Sequence, residues 1–487
     1  MTELAVTRAR PDDVPLTGTR DVVVGLFSGR DGVRAGRGAA LVGNALGVDV
    51  VAMAETDPEF DGATSARTVA VVPGPAGPVR VVVVGLGEHP ATRRALFEAA
   101  LAARLVRSSA STLTMEADDS VGAVALGHAL GSWQYHRDPS AQDPVLPVTL
   151  VDDGPADAAE AALARATVVA RVTGWVRQLV ETPPNALRPM DFADAVTALA
   201  RELAPDSVVV ERWDVATLRA RGFGATLAVG AGSAHPPLVV ELRITGEGPL
   251  TALAGKGITF DSGGINLKRD GGELSWMKSD MAAAASVAAA VIAAAALGHS
   301  APVVAILPVA ENMPGGSALR PGDVVSHPGG RTTEVLDTDC EGRLVLADAL
   351  GWLAGQHPTR LVDVGTLTDS GGVGPAFWGC WATSEAAAKD LVDAGVRAMD
   401  PGWALPLHPS YEAMLASRVA DIANASPDAA DSGQLAATYL RTFVGEVPWV
   451  HVDNGSAAWL ERAAGPWPAG PTGTPVRALL EFLHPGS

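Results

Sequence analysis

Strand-like and helical patterns of hydrophobic residues alternate in the first third of the chain. Mostly apolar runs at residues 21–27, 79–85 and 147–151 suit buried parallel strands. A helical pattern follows the second run, from Thr92 to about Val106. Strands that alternate with helices favour an open parallel sheet. We therefore predict an N-terminal α/β domain over residues 1–155.

A second stretch of helical spacing runs from Ala156 to Leu179 and contains no proline or turn cluster. Proline at 183 and 184 stops it, because the residue before a proline disfavours helical geometry. This pattern predicts a long helix over residues 156–180 that links two domains. Residues 181–487 then form a second and larger α/β domain, whose predicted strands are 238–244, 250–259, 303–307, 333–336 and 361–364.

Composition and charge exclude several classes of protein. The 487 residues carry a formal net charge of −19, which disfavours non-specific binding to nucleic acid or anionic membranes. The apolar stretch 281–297 is rich in alanine and predicts a buried helix rather than a membrane span. The first 13 residues lack the apolar core of a secretory signal, and two cysteines give no disulfide framework. We expect a cytoplasmic protein.

Cations and carboxylates surround a glycine turn at residues 255–264, and the pattern continues to Asp280. Apolar strand residues lead into Asp261, which is followed by Ser-Gly-Gly. Open α/β sheets place their sites at such carboxyl ends of strands. An ordinary turn with solvated lysines would give the same pattern. This segment alone leaves both interpretations open.

A second acidic segment, residues 334–346, also begins as an apolar strand and continues as a helix. Asp339 and Glu341 alternate in it, so an extended backbone points both carboxylates the same way. Two converging carboxylates repel each other unless a cation lies between them. The alternative is a helix N-terminus with acidic residues, which the helix dipole favours.

Together the two segments supply four carboxylates, on Asp261, Asp280, Asp339 and Glu341. Four carboxylates are enough to bind two divalent ions about 4 Å apart, with one carboxylate bridging. Oxygen ligands suit Mg²⁺, Mn²⁺ or Zn²⁺. Lys256 adds a further candidate ligand, because a nearby dication depresses the pKa of a lysine.

At these residues the chain resembles the cytosolic leucine aminopeptidases. The signature Asn-Thr-Asp-Ala-Glu-Gly-Arg-Leu of that family is similar to Asp-Thr-Asp-Cys-Glu-Gly-Arg-Leu at 337–344. The family segment Gly-Lys-Gly-x-x-Phe-Asp-Ser-Gly-Gly is intact at 255–264. Further similar segments are 181–185, 310–314, 321–323, 449–453 and 475–477. The resemblance covers the C-terminal domain and is only architectural in the N-terminal one.

The resemblance implies a fold and a set of metal ligands. The fold is a smaller N-terminal α/β domain joined by a long helix to a larger catalytic domain, with a mixed central sheet flanked by helices. Asp261 and Glu341 would touch both metals, Asp339 would complete one site, and Lys256 and Asp280 the other. In similar enzymes the pair is zinc, or zinc with manganese, magnesium or cobalt, and a bridging water attacks the peptide carbonyl.

The resemblance also implies two catalytic residues and an assembly. Lys268 would stabilise the oxyanion of the tetrahedral intermediate. Arg343 resembles the arginine that anchors a bicarbonate ion, which shuttles a proton. The substrate would be a peptide with a free N-terminus, and similar enzymes are homohexamers.

Departures from the family pattern fall in the substrate pocket. Asp337 stands where the signature has asparagine. Asp369 replaces a glycine that follows Thr366 and Leu367 and lines the pocket for the first substrate side chain, beside a methionine that matches Met277. Asp369 would shrink or charge this pocket. We therefore expect a specialised substrate range, for which trimming of precursor peptides in natural-product biosynthesis is one role.

Other functions remain as alternatives. Some bacterial members of the family bind DNA as regulators, which the acidic balance of this chain disfavours. A member that has lost activity would keep the fold but has no reason to retain all five ligands. A dinucleotide enzyme needs a third glycine that the glycine clusters at 84–88 and 230–235 lack.

Overall fold

The structure, a computed structural model, describes residues 4–9, 21–103, 111–114, 121–138, 146–151, 155–426 and 432–486. The chain divides into an N-terminal unit, residues 1–174 with 463–468, and a C-terminal unit, residues 175–462 with 469–487. The boundary at residue 174 falls inside one long helix. The predicted domain limits at 155 and 180 stay a prediction.

One sheet organises the N-terminal unit. Its strands are β1 (Leu4–Ala9), β2 (Asp21–Gly29), β3 (Gly32–Ala35), β4 (Arg67–Gly74), β5 (Gly77–Gly85), β6 (Ser111–Thr114) and β7 (Leu146–Val151). The order is β1-β7-β6-β2-β5-β4, with β3 beside β2. The helices that accompany it are α1 (Arg37–Leu46), α2 (Val50–Ala54), α3 (Arg93–Ala102) and α4 (Val121–Ser132).

The predicted open parallel sheet is confirmed at the three apolar runs, and two hairpins that were not predicted add antiparallel strands. β1, β7, β6, β2 and β5 run parallel, but β3 pairs antiparallel with β2 and β4 with β5. Two residues connect the strands of each hairpin, and so short a connection can join only antiparallel strands.

The helix predicted from Thr92 begins as expected, because the Thr92 hydroxyl accepts a hydrogen bond from the Ala95 N–H. It ends at Ala102, and residues 104–106 of the prediction lie outside the described residues.

The long helix α5 (Ala156–Glu181) confirms the helical pattern before the proline pair. Beyond it the strands are β8 (Val209–Trp213), β9 (Leu238–Ile244), β10 (Thr251–Gly255), β11 (Gly257–Asp261), β12 (Val303–Asn312), β13 (Val324–Ser326), β14 (Thr332–Glu334), β15 (Arg360–Gly365), β16 (Trp378–Ala382), β17 (Gly402–Ala404), β18 (Ile422–Ala423), β19 (Trp449–Asp453), β20 (Trp459–Leu460) and β21 (Gly470–Pro471). The helices are α6 (Pro189–Leu203), α7 (Val215–Arg221), α8 (Gly224–Val229), α9 (Gly271–Trp276), α10 (Ala282–Ala296), α11 (Glu341–Ala354), α12 (Glu385–Arg397), α13 (Ser432–Arg441), α14 (Gly455–Ala458) and α15 (Val476–Leu483). Short 3₁₀ helices lie at Gly230–Gly232, Met277–Ser279, Ser370–Gly372 and Pro409–Leu415.

A mixed central sheet of nine strands builds the C-terminal unit and confirms the predicted fold class. Its order is β17-β16-β19-β15-β10-β12-β9-β8, with β11 beside β12. The middle strands β12, β10, β15 and β19 are parallel, whereas β9 and β8 on one side and β16 on the other add antiparallel pairs. The parallel strands are almost wholly buried and apolar, as strands covered on both faces are.

Four of the five predicted strands of this unit have different limits. The strand predicted at 303–307 extends to Asn312, and the one at 361–364 is longer by one residue at each end. Residues 250–259 form two strands, β10 and β11, which pair with successive halves of β12 and are separated at Lys256. Gly255 lets α10 approach there, since a Cβ on it would lie 2.7 Å from the Cα of Ala284. The predicted strand 333–336 ends at Glu334, because the Asn424 side chain accepts the N–H of Leu336 at 2.8 Å.

The apolar stretch 281–297 forms α10, which is buried along nearly its whole length. Within the described residues, one stretch, Gly271–Ala296, is long and apolar enough to cross a membrane, but 94% of its most apolar window is covered by protein. Core helices commonly have this composition. The prediction of a buried helix is therefore confirmed.

Candidate metal centre

Four strand ends of the central sheet meet at one place. Lys256 follows β10, Asp261 ends β11, Asn312 ends β12 and Thr366 follows β15. These strands are parallel neighbours, so their carboxyl ends lie at the same edge. Open α/β sheets place their functional sites at such edges.

Three buried carboxylates converge at this edge. Asp261, Asp280 and Glu341 each offer an oxygen, and these oxygens lie within 4.8 Å of one another. The 3₁₀ turn Met277–Ser279 leads into Asp280, and Glu341 is the first residue of α11. Burial raises the pKa of both Asp280 and Glu341 above their ordinary values. Such a cluster is costly unless cations compensate it.

Two lysine side chains compensate the charge of the carboxylates. The Lys256 ammonium lies 2.9 Å from Asp280 Oδ2 and 2.9 Å from Glu341 Oε1. The Lys268 ammonium lies 3.1 Å from Asp261 Oδ2 and 2.6 Å from Asp339 Oδ1. Burial lowers the pKa of each lysine, but the neighbouring carboxylates outweigh burial and raise both pKa values above the ordinary range.

Gly342 permits the close approach of Lys256 to α11. A Cβ at position 342 would lie 2.5 Å from the Cε and Nζ atoms of Lys256. Any larger residue would therefore push the lysine out of the carboxylate cluster. The glycine of the 337–344 segment is thus a requirement of the site.

The donor set fits divalent metal ions. Carboxylates with one amine form a hard to borderline set of the kind that Mg²⁺, Mn²⁺ and Zn²⁺ accept. Asp280 Oδ2 and Glu341 Oε1 are buried, and each is paired with the Lys256 ammonium at 2.9 Å. A divalent ion would supply these buried carboxylates with further positive charge.

Asp339 completes the cluster from a less buried position. Its side chain is 31% exposed, and burial together with the charges of Asp261 and Glu341 raises its pKa from 3.8 to about 7. Asp337 Oδ1 accepts the backbone N–H of Asp339 at 2.9 Å and so shapes the turn before α11. The carboxylate of Asp337 is therefore engaged in the loop.

Arg343 is buried in the first turn of α11 and donates through Nη1 to the backbone oxygen of Asn424, 2.9 Å away. The side chain of Asn424 also binds the 336–340 loop, donating to the carbonyl oxygen of Asp337 at 2.6 Å. Asn424 therefore joins the predicted arginine to the predicted acidic loop. Asn424 is not predictable from the sequence, since nothing near it in the chain marks a site.

Apart from Asp337, the predicted pocket residues lie on two segments beside Asp280. Met277 is buried in the 3₁₀ turn before it. The Thr366 hydroxyl donates to Asp280 Oδ1 at 2.7 Å, and the Thr366 carbonyl accepts from Lys256 at 3.1 Å. Leu367 is half-buried, whereas Asp369 is exposed at the end of the same segment. Of the predicted pocket residues, Thr366 is the one in contact with the cluster through both its side chain and its backbone.

Comparison with known proteins agrees with this geometry. Residues 174–480 match the model of the cytosol aminopeptidase family, catalytic domain. The probable cytosol aminopeptidase of Streptomyces coelicolor is 39% identical, with 95% of each chain covered. The bottromycin maturation enzyme BotP in complex with Mn is 33% identical, with a TM-score of 0.81 over 96% of this chain and 99% of that one. The cytosol aminopeptidase of Coxiella burnetii is 26% identical, with a TM-score of 0.80 over 98% of each chain.

A buried carboxylate cluster at the edge of this mixed α/β sheet, together with these relatives, defines a metal-dependent exopeptidase, a hydrolase of peptides. The chain belongs to the cytosol aminopeptidase family. The resemblance in the acidic segments is thereby confirmed.

Proposed function

We propose that five side chains of the C-terminal unit hold two divalent metal ions: Lys256, Asp261, Asp280, Asp339 and Glu341. The convergence of three buried carboxylate oxygens within 4.8 Å carries this proposal. Asp261 and Glu341 would serve both ions. Asp261 contacts Lys268 and Glu341 contacts Lys256, and the two carboxylates also lie close enough to repel each other. Asp339 completes one position, and Lys256 with Asp280 the other.

The bound pair supplies Lewis acidity and a water of lowered pKa. Around it the protein positions the peptide and its charges. Lys268, whose ammonium already lies among the carboxylates, stabilises the negative charge that develops on the peptide carbonyl. Arg343, held by the carbonyl of Asn424, would hold a bicarbonate ion, which would supply a general base beside the metal pair.

We propose zinc or manganese as the metal pair, with magnesium or cobalt as alternatives, since carboxylates suit all four ions. BotP was solved in complex with Mn. We further propose that the protein is cytoplasmic and assembles as a homohexamer, as similar enzymes do.

Calorimetric titration of the metal-free protein with Mn²⁺ tests the ligand set. We expect two ions per chain, with an affinity that weakens as the pH falls, since Lys256 must release a proton to bind a metal ion, and that weakens more steeply below about 7. The pKa of Asp339 is raised to about 7, so its carboxyl binds a proton in this range and a metal ion must displace it. Each displaced proton weakens binding by up to about tenfold per pH unit.

Asp339→Asn is the matched control for this titration. Its amide cannot titrate, so binding is weaker but depends less on pH. Fewer than two ions per chain, or an affinity that is constant between pH 7.5 and 5.5 in the native protein, would contradict the assignment.

We propose that the substrate range is specialised toward particular peptides, such as precursor peptides in natural-product biosynthesis. The similarity to BotP, a bottromycin maturation enzyme, supports this role. Asp369 supports it by chemistry, because a carboxylate near the first substrate side chain disfavours apolar residues such as leucine.

A panel of aminoacyl-p-nitroanilides measures this preference. We expect Asp369→Gly to raise kcat/KM for the leucine substrate by roughly tenfold, since one altered pocket contact changes discrimination by 1–3 kcal/mol. Asp393→Gly, at an exposed helix position, serves as a control and leaves the profile unchanged. A native profile dominated by leucine would overturn the proposal.

A further inference from the structure

The amide of Asn312 lies at the centre of the carboxylate cluster and has no role in the proposed mechanism. Asn312 ends β12 directly opposite Asp261 of β11, and paired positions of parallel strands point to the same face. The residue is 2% exposed. Its carbonyl accepts the N–H and the hydroxyl of Ser262, at 3.0 and 2.7 Å, so the backbone on both sides of the pair is fixed.

Three oxygens surround the side-chain nitrogen of Asn312. Nδ2 lies 2.8 Å from Asp261 Oδ1, 2.9 Å from the Thr338 carbonyl oxygen and 3.3 Å from Glu341 Oε2. All three atoms accept hydrogen bonds, so only the amide nitrogen, and not the amide oxygen, suits this position. The orientation of the amide is therefore set by its surroundings. The amide has only two N–H groups for these three acceptors. The two shorter contacts therefore use them most directly, and the contact to Glu341 is the longest.

Asn312 and the lysines bind opposite oxygens of the same carboxylates. On Asp261, Oδ1 accepts from Asn312 while Oδ2 faces Lys268. On Glu341, Oε2 faces Asn312 while Oε1 faces Lys256. The amide thus fixes one oxygen of each carboxylate and leaves the other turned toward a cation.

We infer that Asn312 is a positioning residue that holds the two bridging carboxylates ready for the metal pair; this inference rests on the ligand set proposed above. A neutral donor suits this task, because it stabilises the carboxylates without adding a positive charge that repels an incoming ion. The ammonium groups of the two lysines do add that charge. Hydrogen bonds that orient metal ligands typically change metal affinity by about 10- to 100-fold.

The test compares two buried asparagines. Asn312→Leu removes the donor at nearly constant size. Asn454→Leu is the matched control, because Asn454 is fully buried and its amide donates to the Thr474 carbonyl at 3.0 Å. Metal-free full-length protein is titrated with Mn²⁺, and electron paramagnetic resonance measures the concentration of free Mn²⁺. These concentrations give the dissociation constants. We expect a weakening of roughly 10- to 100-fold for Asn312→Leu and an unchanged value for Asn454→Leu.

The outcomes separate this inference from the proposed ligand set. If the native protein binds no Mn²⁺, the ligand set is wrong. If the native protein binds Mn²⁺ and Asn312→Leu binds it equally well, or both leucine variants weaken binding equally, the positioning role is wrong.

Asn312→Asp provides a second test if the leucine variant fails to fold. This substitution keeps the size of the side chain but replaces the amide donor with a carboxylate that faces Asp261 and Glu341. Repulsion among the three carboxylates therefore destabilises the metal-free form more than the metal-bound form. We expect the gain in Tm on addition of Mn²⁺ to be larger than in the native protein. An equal loss of Tm with and without Mn²⁺, or no folding in either condition, would overturn the inference.

Discussion

Replacing Asp261 with asparagine is expected to lower kcat/KM for peptide hydrolysis by about a thousandfold and to reduce the bound metal below two ions per chain. Asp261 is proposed to touch both ions, and the asparagine lacks the charge that binds them. The loss of metal-derived charge stabilisation is worth several kcal/mol, and each ~1.4 kcal/mol is a factor of ten in rate. Steady-state kinetics and elemental analysis of the same preparation measure both effects.

Asp400→Asn controls for the loss of any buried carboxylate. Asp400 is 2% exposed and accepts the backbone N–H of Arg477 at 3.1 Å, with no contact to the cluster among the described residues. This variant should lose stability but keep two metal ions and the native kcat. If Asp261→Asn retains activity to within tenfold of the native protein, the assignment of Asp261 as a bridging ligand is wrong.

Replacing Lys268 with methionine should lower kcat by about 10²- to 10³-fold, the usual cost of removing one donor to an oxyanion. The expected change in KM is small, because the charge on the substrate oxygen develops only in the transition state. Metal content should not fall, since the variant leaves every proposed ligand in place. Kinetics with a short peptide and metal analysis distinguish these quantities.

Lys278→Met is the matched control for this lysine. Lys278 is also poorly exposed, but its ammonium binds Glu181, 3.0 Å from Oε1, and not the proposed ligands. It should retain the native kcat. If Lys268→Met loses metal in proportion to activity, Lys268 acts by holding Asp261 and Asp339 rather than by stabilising an oxyanion.

The sequence predicted where the acidic site forms because strand ends can be identified locally. The apolar run ending in Asp261 depends only on residues adjacent in the chain. The extended backbone expected through Asp339 and Glu341 is wrong, because a turn includes Asp339 and Glu341 is the first residue of α11. The convergence of Asp261 with Asp280 and Glu341 depends in addition on the 3₁₀ turn before Asp280 and on the start of α11 at Glu341. The assignment of these residues as metal ligands stays a prediction.

Other features depend on contacts between distant residues. The break between β10 and β11 at Lys256 arises from pairing with β12 and from the approach of α10, neither of which leaves a local signal. The positioning role inferred for Asn312 has no local signal either, because it depends on the register between Asn312 and Asp261 on neighbouring strands. Asn312 does lie in the segment 310–314 that resembles the family, which was the available signal.

Metal-dependent removal of N-terminal residues is the central activity proposed for this protein, and one experiment tests it directly. Short peptides with free and with acetylated N-termini are incubated with the native protein, the chelated protein, and the chelated protein resupplied with Mn²⁺ or Zn²⁺. We expect release of the first residue from free peptides only, loss of this activity on chelation, and its recovery with two equivalents of metal. Activity that survives chelation, or no metal-dependent hydrolysis of any peptide, would contradict the account.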